Sequence, residues 1–507
     1  MWRMCFKFII SQIAACICAS IFLFPIITLA GWSENVRLTY RGNEIHPQVI
    51  ARNDTVHVAW NQIYGNVSYI RSTDGGATWD SLVNLTELAH TGSYANLNLA
   101  ENGVLVTWMD YDEDGLTSIA FATSAEGANW SQPTYVWTEN PRRFNFAASA
   151  VAGDSIFLAY YSYRDDSTGL SPLRAMHSYD YGHTWSDEIT LGHPLSAPWQ
   201  PIIMGYCSGA LIIMYPNLPD SAHGNLYNIN AYRSTDAGQS WWGPIWVSPV
   251  NEFGSQDACV ACNHATGELA AGYMDYRFYQ YAFHGDIFAS ISDDGGLTWP
   301  FETMASSPHT AWFPSIDFAQ DTLVAVWSDM RYYQDVSHEI VFNRSNDGGV
   351  SWTGEYRLTE TIEESYSPWV SIDNGRISVV WYENPDGSIP MGIFYKKYTP
   401  DGTGINGSGA PADVRFSISA YPNPFNSSTI ITYSNLRGGE IRIFDIKGQL
   451  IRTFFTGGEN EGRIKWDATD ASSKKVSSGI SFARAQYGSK ATESSQRSNT
   501  IKLIYLK

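Results

Sequence analysis

Two sets of residues in this chain could do chemistry. The first is a row of aspartates, Asp74, Asp180, Asp236, Asp294 and Asp347, each third in an eight-residue pattern. The copies read STDGGATW (Ser72–Trp79), SYDYGHTW (Ser178–Trp185), STDAGQSW (Ser234–Trp241), SDDGGLTW (Ser292–Trp299) and SNDGGVSW (Ser345–Trp352). Carboxylates in sets are the groups of acid–base and glycosyl-transfer chemistry. The second set is three arginines, Arg164, Arg277 and Arg331, two of which follow an aspartate by two places, Asp275 and Asp329. Planar guanidinium groups suit bidentate recognition of a carboxylate. Asp110 belongs with these residues by position, and the indoles of Trp199, Trp312 and Trp369 could stack on sugar rings.

The elements that must position these residues repeat. From Asp180 onward the aspartates recur every 53 to 58 residues, and a shorter copy, SAEGANW (Ser124–Trp130), puts Glu126 in the acidic place. A fixed period of this size signals a repeat architecture. The pattern itself suits a hairpin turn: Ser and Asp accept bonds from nearby backbone N–H groups, Gly supplies positive φ, and Trp fills the next apolar gap. Seven β-branched runs end in an aromatic, at Trp60, Trp108, Tyr160, Tyr215, Tyr273, Trp327 and Trp381, and read as strands. Two places beyond each aromatic stand Gln62, Asp110, Ser162, Asn217, Asp275, Asp329 and Glu383; the arginines stand four places beyond three of them. The seventh repeat lacks a fourth strand, whereas Trp32–Thr39 matches the segments that follow the other turns. The N-terminal strand is therefore expected to close the ring and pair an otherwise open edge.

The eight-residue pattern resembles the Asp box of the sialidase-like (BNR repeat) β-propellers. The resemblance implies that its Asp is a structural turn residue and that ligands meet the opposite face, where the strand-two loops carry the arginines. The family's enzymes hold a sialic acid carboxylate with three arginines and use a Tyr nucleophile activated by a Glu, with an Asp acid/base. This chain departs from them. Their Arg-Ile-Pro place reads Glu44-Ile45-His46-Pro47, the repeat count favours seven blades where sialidases usually have six, and no motif singles out Tyr279, Tyr281, Tyr332, Tyr333, Asp110 or Asp112. The competing reading of Arg277 and Arg331 is a local pair with Asp275 or Asp329 that braces a long loop.

The expected fold is all-β: a seven-bladed β-propeller over residues 31–402, with six blades as the alternative, then a small immunoglobulin-like β-sandwich. The expected function is binding of glycan or protein ligands, with an extracellular glycan or glycoprotein as partner and an exo-α-sialidase or other exo-glycosidase, or a display platform, as alternatives. Fold alone does not choose among them.

The acidic balance, 51 Asp plus Glu against 32 Lys plus Arg, argues against a nucleic-acid partner. Arg3 and Lys7 precede an apolar run to Ala30, the pattern of a signal peptide over residues 1–30. A Gly/Ser/Pro linker over 403–411 leads to residues 412–507, where 14 basic and 8 acidic residues leave about +6. That segment resembles the type A C-terminal sorting domain of the type IX secretion system, through Tyr421-Pro422-Asn423-Pro424-Phe425-Asn426, Ile441–Gly448, Trp466-Asp467, Ser478-Gly479-Ile480 and Ile501–Lys507. The resemblance implies a secreted or outer-membrane-surface location in a Gram-negative-type bacterium and the secretion machinery as a partner. The odd cysteine count beyond the signal, Cys207, Cys259 and Cys262, favours buried free thiols, with one bridge between neighbouring strands as the alternative. No metal site is expected. Calcium at Asp110-Tyr111-Asp112-Glu113-Asp114 is weighed against an exposed acidic loop, and the loop is preferred.

Overall fold

The computed structural model describes residues 31–400 and 417–506, except 41, 88–89, 102, 114–116, 137–143, 163–170, 193–200, 218–226, 251–252, 279–284, 307–310, 332–337, 362–363, 385–390, 435–438, 457–460, 473 and 488–497. The signal expected over 1–30 and the linker over 403–411 lie outside the described residues. All elements described are strands.

Seven antiparallel sheets follow one another along residues 31–399, and each runs in chain order from an inner strand outward. The inner strands are Glu44–Arg52, Thr91–Ala100, Phe144–Ala152, Ile203–Cys207, Ser255–Cys262, Ala311–Ala319 and Glu364–Asp373. The aromatic-ended runs form the second strands; Trp60, Trp108, Tyr160, Tyr273, Trp327 and Trp381 are fully buried between sheets. Neighbouring inner strands touch all the way round, and the seventh meets the first, so the sheets form a ring as in a propeller. Inner edges do not share a backbone ladder; side chains satisfy them instead. Gln48 accepts from Leu97 N (2.8 Å), Ser315 from Val370 N (3.1 Å) and Asp317 from Ile372 N (2.7 Å). At the closure, Ser371 accepts from Ala51 N (3.1 Å) and Asp373 from Asn53 N (2.6 Å).

The N-terminal segment completes the seventh sheet. Gly31 and Trp32 pair with Thr399 and Tyr398, and Val36 and Arg37 with Tyr395 and Phe394. Trp32 packs edge-on to Phe342 (5.0 Å between ring centres) and lies parallel to Tyr356 of the sixth sheet. The strand thus covers an open edge and fastens two sheets together.

The boxes are turns. In the first, Asp74 Oδ1 accepts from Ala77 N (2.9 Å), Thr78 N (2.8 Å) and Ser72 Oγ, Oδ2 accepts from Thr78 Oγ1, and Ser72 Oγ accepts from Gly76 N. Asp180, Asp236, Asp294 and Asp347 repeat the scheme. Gly76 has φ of 80°, and a Cβ there would strike the Tyr395 ring of the preceding sheet, so only glycine fits. Box tryptophans pack on that same neighbour: Trp79 on Tyr395, Trp130 on Tyr69 and Trp185 on Phe121. Each box is therefore also an inter-sheet wedge.

The cysteine expectation needs correction. Cys207 and Cys262, at the ends of the fourth and fifth inner strands, form the bridge that was the alternative reading, and among the described residues Cys259 alone is a free, buried thiol. The odd count hid the bridge because pairing depends on which inner strands the ring makes adjacent, a fact remote from the 55-residue separation.

The C-terminal part is a β-sandwich. Ser417–Tyr421, Thr429–Ser434 and Glu461–Trp466 form one sheet; Gly439–Asp445, Leu450–Phe455, Gly479–Tyr487 and Ser498–Tyr505 form the other. Its core holds Trp466, Phe425, Ile441, Ile443, Leu503 and Tyr505.

Candidate functional site

Arg277 and Arg331 are engaged within their own sheets. Arg277 lies flat on Asp275 (Nε–Oδ1 2.8 Å, Nη2–Oδ2 2.8 Å) and reaches Glu302 on the outermost strand of the same sheet (2.6 Å). Arg331 makes the same two-pronged contact with Asp329 (Nε–Oδ1 2.8 Å) and reaches Glu355, beside the outermost strand of its sheet (2.5 Å). Both guanidinium groups thus run from the second strand outward across their own sheet. They are held more strongly cationic than usual by these carboxylates, against the opposing effect of burial. Arg164 lies outside the described residues, as do Trp199, Asp114, Tyr279, Tyr281, Tyr332 and Tyr333.

Three of the four carboxylates two places beyond the strand-two aromatics have a shared job. Trp108 Nε1 donates to Asp110 (3.0 Å), Trp327 Nε1 to Asp329 (2.9 Å) and Trp381 Nε1 to Glu383 (3.4 Å). All three acids are buried. They anchor the buried indole at the strand end, which explains why the position repeats. Asp110 also accepts from His90 Nδ1 (2.5 Å), a bond that raises the imidazole above its usual pKa. With those two partners, the Asp110 carboxylate sits inside the sheet end and not in an open loop. Among the described residues no three His, Cys, Asp or Glu side chains gather as a metal site.

At the end of the ring opposite the boxes, the inner strands are bulged. Register shifts fall between Ile45 and Gln48, Ser93 and Asn96, Asn145 and Ala148, Gln256 and Cys259, Trp312 and Ser315, and Tyr366 and Trp369. Each bulge holds a non-glycine residue at positive φ: His46 (51°), Tyr94 (53°), Phe146 (50°), Asp257 (51°), Phe313 (53°) and Ser367 (46°). Such conformations cost about 1–3 kcal/mol each and gather at sites where side chains are re-aimed for use. The sequence signal was the proline after three of these residues, Pro47, Pro314 and Pro368, since proline inside a strand marks a bulge.

Across the sixth, seventh and first sheets, this bulged end carries a row of rings. Trp312 meets His338 (6.3 Å between centres), His338 meets Tyr366 (4.3 Å), Tyr366 stacks on Tyr382 (5.6 Å), and Tyr382 meets His46 (6.2 Å). A separate pair, Tyr94 and Phe146, spans the second and third sheets (4.7 Å). Along the row, Trp312 Nε1, His338 Nδ1 and Ser365 Oγ are buried and have no hydrogen-bond partner among the described residues. His338 and Ser365 are themselves 8% and 0% exposed. An unpaired buried polar atom costs about 1–3 kcal/mol, so each of the three gains from a partner that reaches it from outside the described residues. Trp369, by contrast, packs into the core between the seventh and first sheets.

Electrostatics fit a binding wall. Burial holds His338 below its ordinary pKa, against the raising pull of Glu364 and Asp329, so its imidazole is neutral at neutral pH. Glu364 stands 4.0 Å from it. His46 is exposed to water, and desolvation by the surrounding protein lowers its pKa too. Tyr366 and Tyr382 are raised, chiefly by burial, and remain phenols. The wall therefore offers neutral rings with the Glu364 carboxylate beside them.

With this geometry in place, comparison with known proteins assigns the C-terminal part. Residues 419–496 match the family model of the secretion system C-terminal sorting domain. The chain is accordingly exported by the type IX system to the cell surface or beyond, and its sorting domain engages that machinery. No curated protein matches the chain. Among solved structures, a Dyadobacter fermentans protein of unknown function is 13% identical, with 73% of this chain and 99% of that one covered and a TM-score of 0.45. The intramolecular trans-sialidase of Ruminococcus gnavus is 12% identical over 72% and 96%, with a TM-score of 0.41. The BP39L lectin of Burkholderia pseudomallei is 12% identical over 70% and 96%, with a TM-score of 0.45. In fold, the chain is a β-propeller whose C-terminal part is a type IX sorting tail.

Proposed function

We propose that the propeller is a glycan-binding module displayed or released outside the cell, and that its site is the aromatic row at the bulged end of the sixth, seventh and first inner strands. The observation that carries this reading is the combination of that row with three buried polar atoms left unpaired along it. Sugars present apolar ring faces and rims of hydroxyls, and the row supplies flat rings with donors and acceptors to match.

The alternative, an exo-α-sialidase or other exo-glycosidase holding an acidic sugar through Arg164, Arg277 and Arg331, draws no support from the two arginines described. Their guanidinium groups are taken up by Asp275, Glu302, Asp329 and Glu355. Asp110, Asp275 and Asp329 are likewise engaged in bracing and supply no free carboxylate to a ligand. Of the candidates among the described residues, Trp312 alone stands in the aromatic row.

A glycan array with the purified chain, together with a fluorogenic sialoside assay, tests the proposal. The expected result is binding without sialoside turnover, with Trp312→Ala and His338→Ala each weakening binding at least tenfold. Sialoside turnover, or binding indifferent to both substitutions, would remove the proposal.

A further inference from the structure

Resting on the glycan-binding reading, we infer that the site is an open path of several subsites that takes internal units of a polysaccharide chain, not a pocket for one terminal sugar.

The first argument is the shape of the row. Trp312, His338, Tyr366, Tyr382 and His46 follow one another across three sheets, each ring 4.3 to 6.3 Å from the next. Rings that enclose a single sugar close around one point. These run in sequence from the sixth sheet to the first. The unpaired Trp312 Nε1, His338 Nδ1 and Ser365 Oγ lie along the same run, so polar contacts are available at more than one step.

The second argument is what stands on the rim where the row ends. His46 belongs to the inner strand of the first sheet, whose neighbour ends at Gln62, opposite Glu44. The turn after Gln62 presents Tyr64, 95% exposed and at φ of 53°. A bulky side chain at positive φ is a conformational outlier, and a ring standing in water adds nothing to the core. Ile63 beside it is also exposed, and its N–H is tied to Asn43 O (2.8 Å), so the turn is held against the start of the inner strand. Tyr40 is 73% exposed, with the Arg37 guanidinium 4.9 Å from its ring centre, and it follows the segment that completes the seventh sheet. Two solvent-facing tyrosines thus stand close in the chain to the start of the inner strand that carries His46, Tyr64 on a turn tied to that start. A terminal-sugar pocket has no use for them, whereas a chain that runs on past the enclosed rings does.

The test uses the full exported chain on a length-graded array of neutral and acidic oligosaccharides, one to eight units long. In the series that binds, affinity is expected to rise at least tenfold between one and four units. The double variant Tyr40→Ala/Tyr64→Ala, at exposed positions that leave folding intact, should lower affinity for the longest chains three- to tenfold and leave dimers unchanged. Equal affinity for one unit and for the longest chain overturns this inference while the glycan-binding reading stands, and so does a double variant with unaltered long-chain binding. No binding to any sugar on the array overturns both.

Discussion

Reduction of the Cys207–Cys262 bridge should loosen the propeller by an amount that the chain path sets. The two cysteines are 55 residues apart and join the inner strands of neighbouring sheets, whose edges share no backbone ladder. In the loop-entropy treatment, a cross-link closing a loop of that length removes enough denatured-state freedom to contribute about 4 kcal/mol at 25 °C. We expect urea unfolding of a chain beginning at Gly31 to show a fall of up to about 4 kcal/mol on reduction, and the same fall in the double variant Cys207→Ser/Cys262→Ser without reductant. Thiol counting supplies the internal control. Cys259 is 3% exposed, and burial pushes its thiol up to about 12, so it should resist alkylation in the folded protein. One thiol should appear on unfolding without reductant, and three with it. Three thiols without reductant, or a stability change below about 1 kcal/mol, would refute the assignment and return the cysteines to the free state expected from their odd count.

Other perturbations read the remaining parts of the argument. Arg331→Met should cost about 3–5 kcal/mol in urea unfolding, because it strands the fully buried Asp329 carboxylate, while glycan affinity stays unchanged. Trp32→Ala should cost about 2–3 kcal/mol, as a half-buried ring packed on Phe342 and Tyr398 is lost from the closing strand. The box aspartates govern acid behaviour: bonds from Thr184 and from Ser240 lower Asp180 and Asp236 to about 2 each. Their folded values lie below the unfolded value of about 4, so their contribution is complete above pH 4 and is lost as pH falls toward 2. Asp180→Asn/Asp236→Asn should flatten that acid limb in a pH series of melting curves.

Much of the architecture was legible because it repeats. The box, with its Ser, Asp, Gly and Trp at fixed offsets, is a local hydrogen-bonding unit, and Asp74 bonds Ala77 and Thr78 with no help from distant chain. The strand runs ending at Trp60 through Trp381 are equally local, since β-branched residues and a terminal aromatic declare a buried strand. The missing fourth strand of the last repeat pointed to Trp32, because a sheet edge must be paired. The site was much less legible. The repeat register drew attention to Arg277 and Arg331, which are regular because bracing a sheet end is needed in blade after blade. His46, His338, Tyr366 and Tyr382 escaped notice, since they occupy no common place in the repeat and acquire a shared surface only where three sheets meet.

The amino-acid sequence by itself determined the kind of molecule: an all-β propeller with turn-forming Asp boxes, an N-terminal closing strand and a C-terminal export address. Each of these follows from short-range hydrogen bonding, apolar patterning and the need to pair an edge. Tertiary structure alone decided three things. It turned Arg277 and Arg331 outward onto Glu302 and Glu355, it brought Cys207 beside Cys262, and it lined up Trp312, His338, Tyr366, Tyr382 and His46. The physical reason is the same in each case. Ring closure makes neighbours of residues far apart in the chain, and bulges of about one residue redirect side chains that strand alternation would have sent elsewhere.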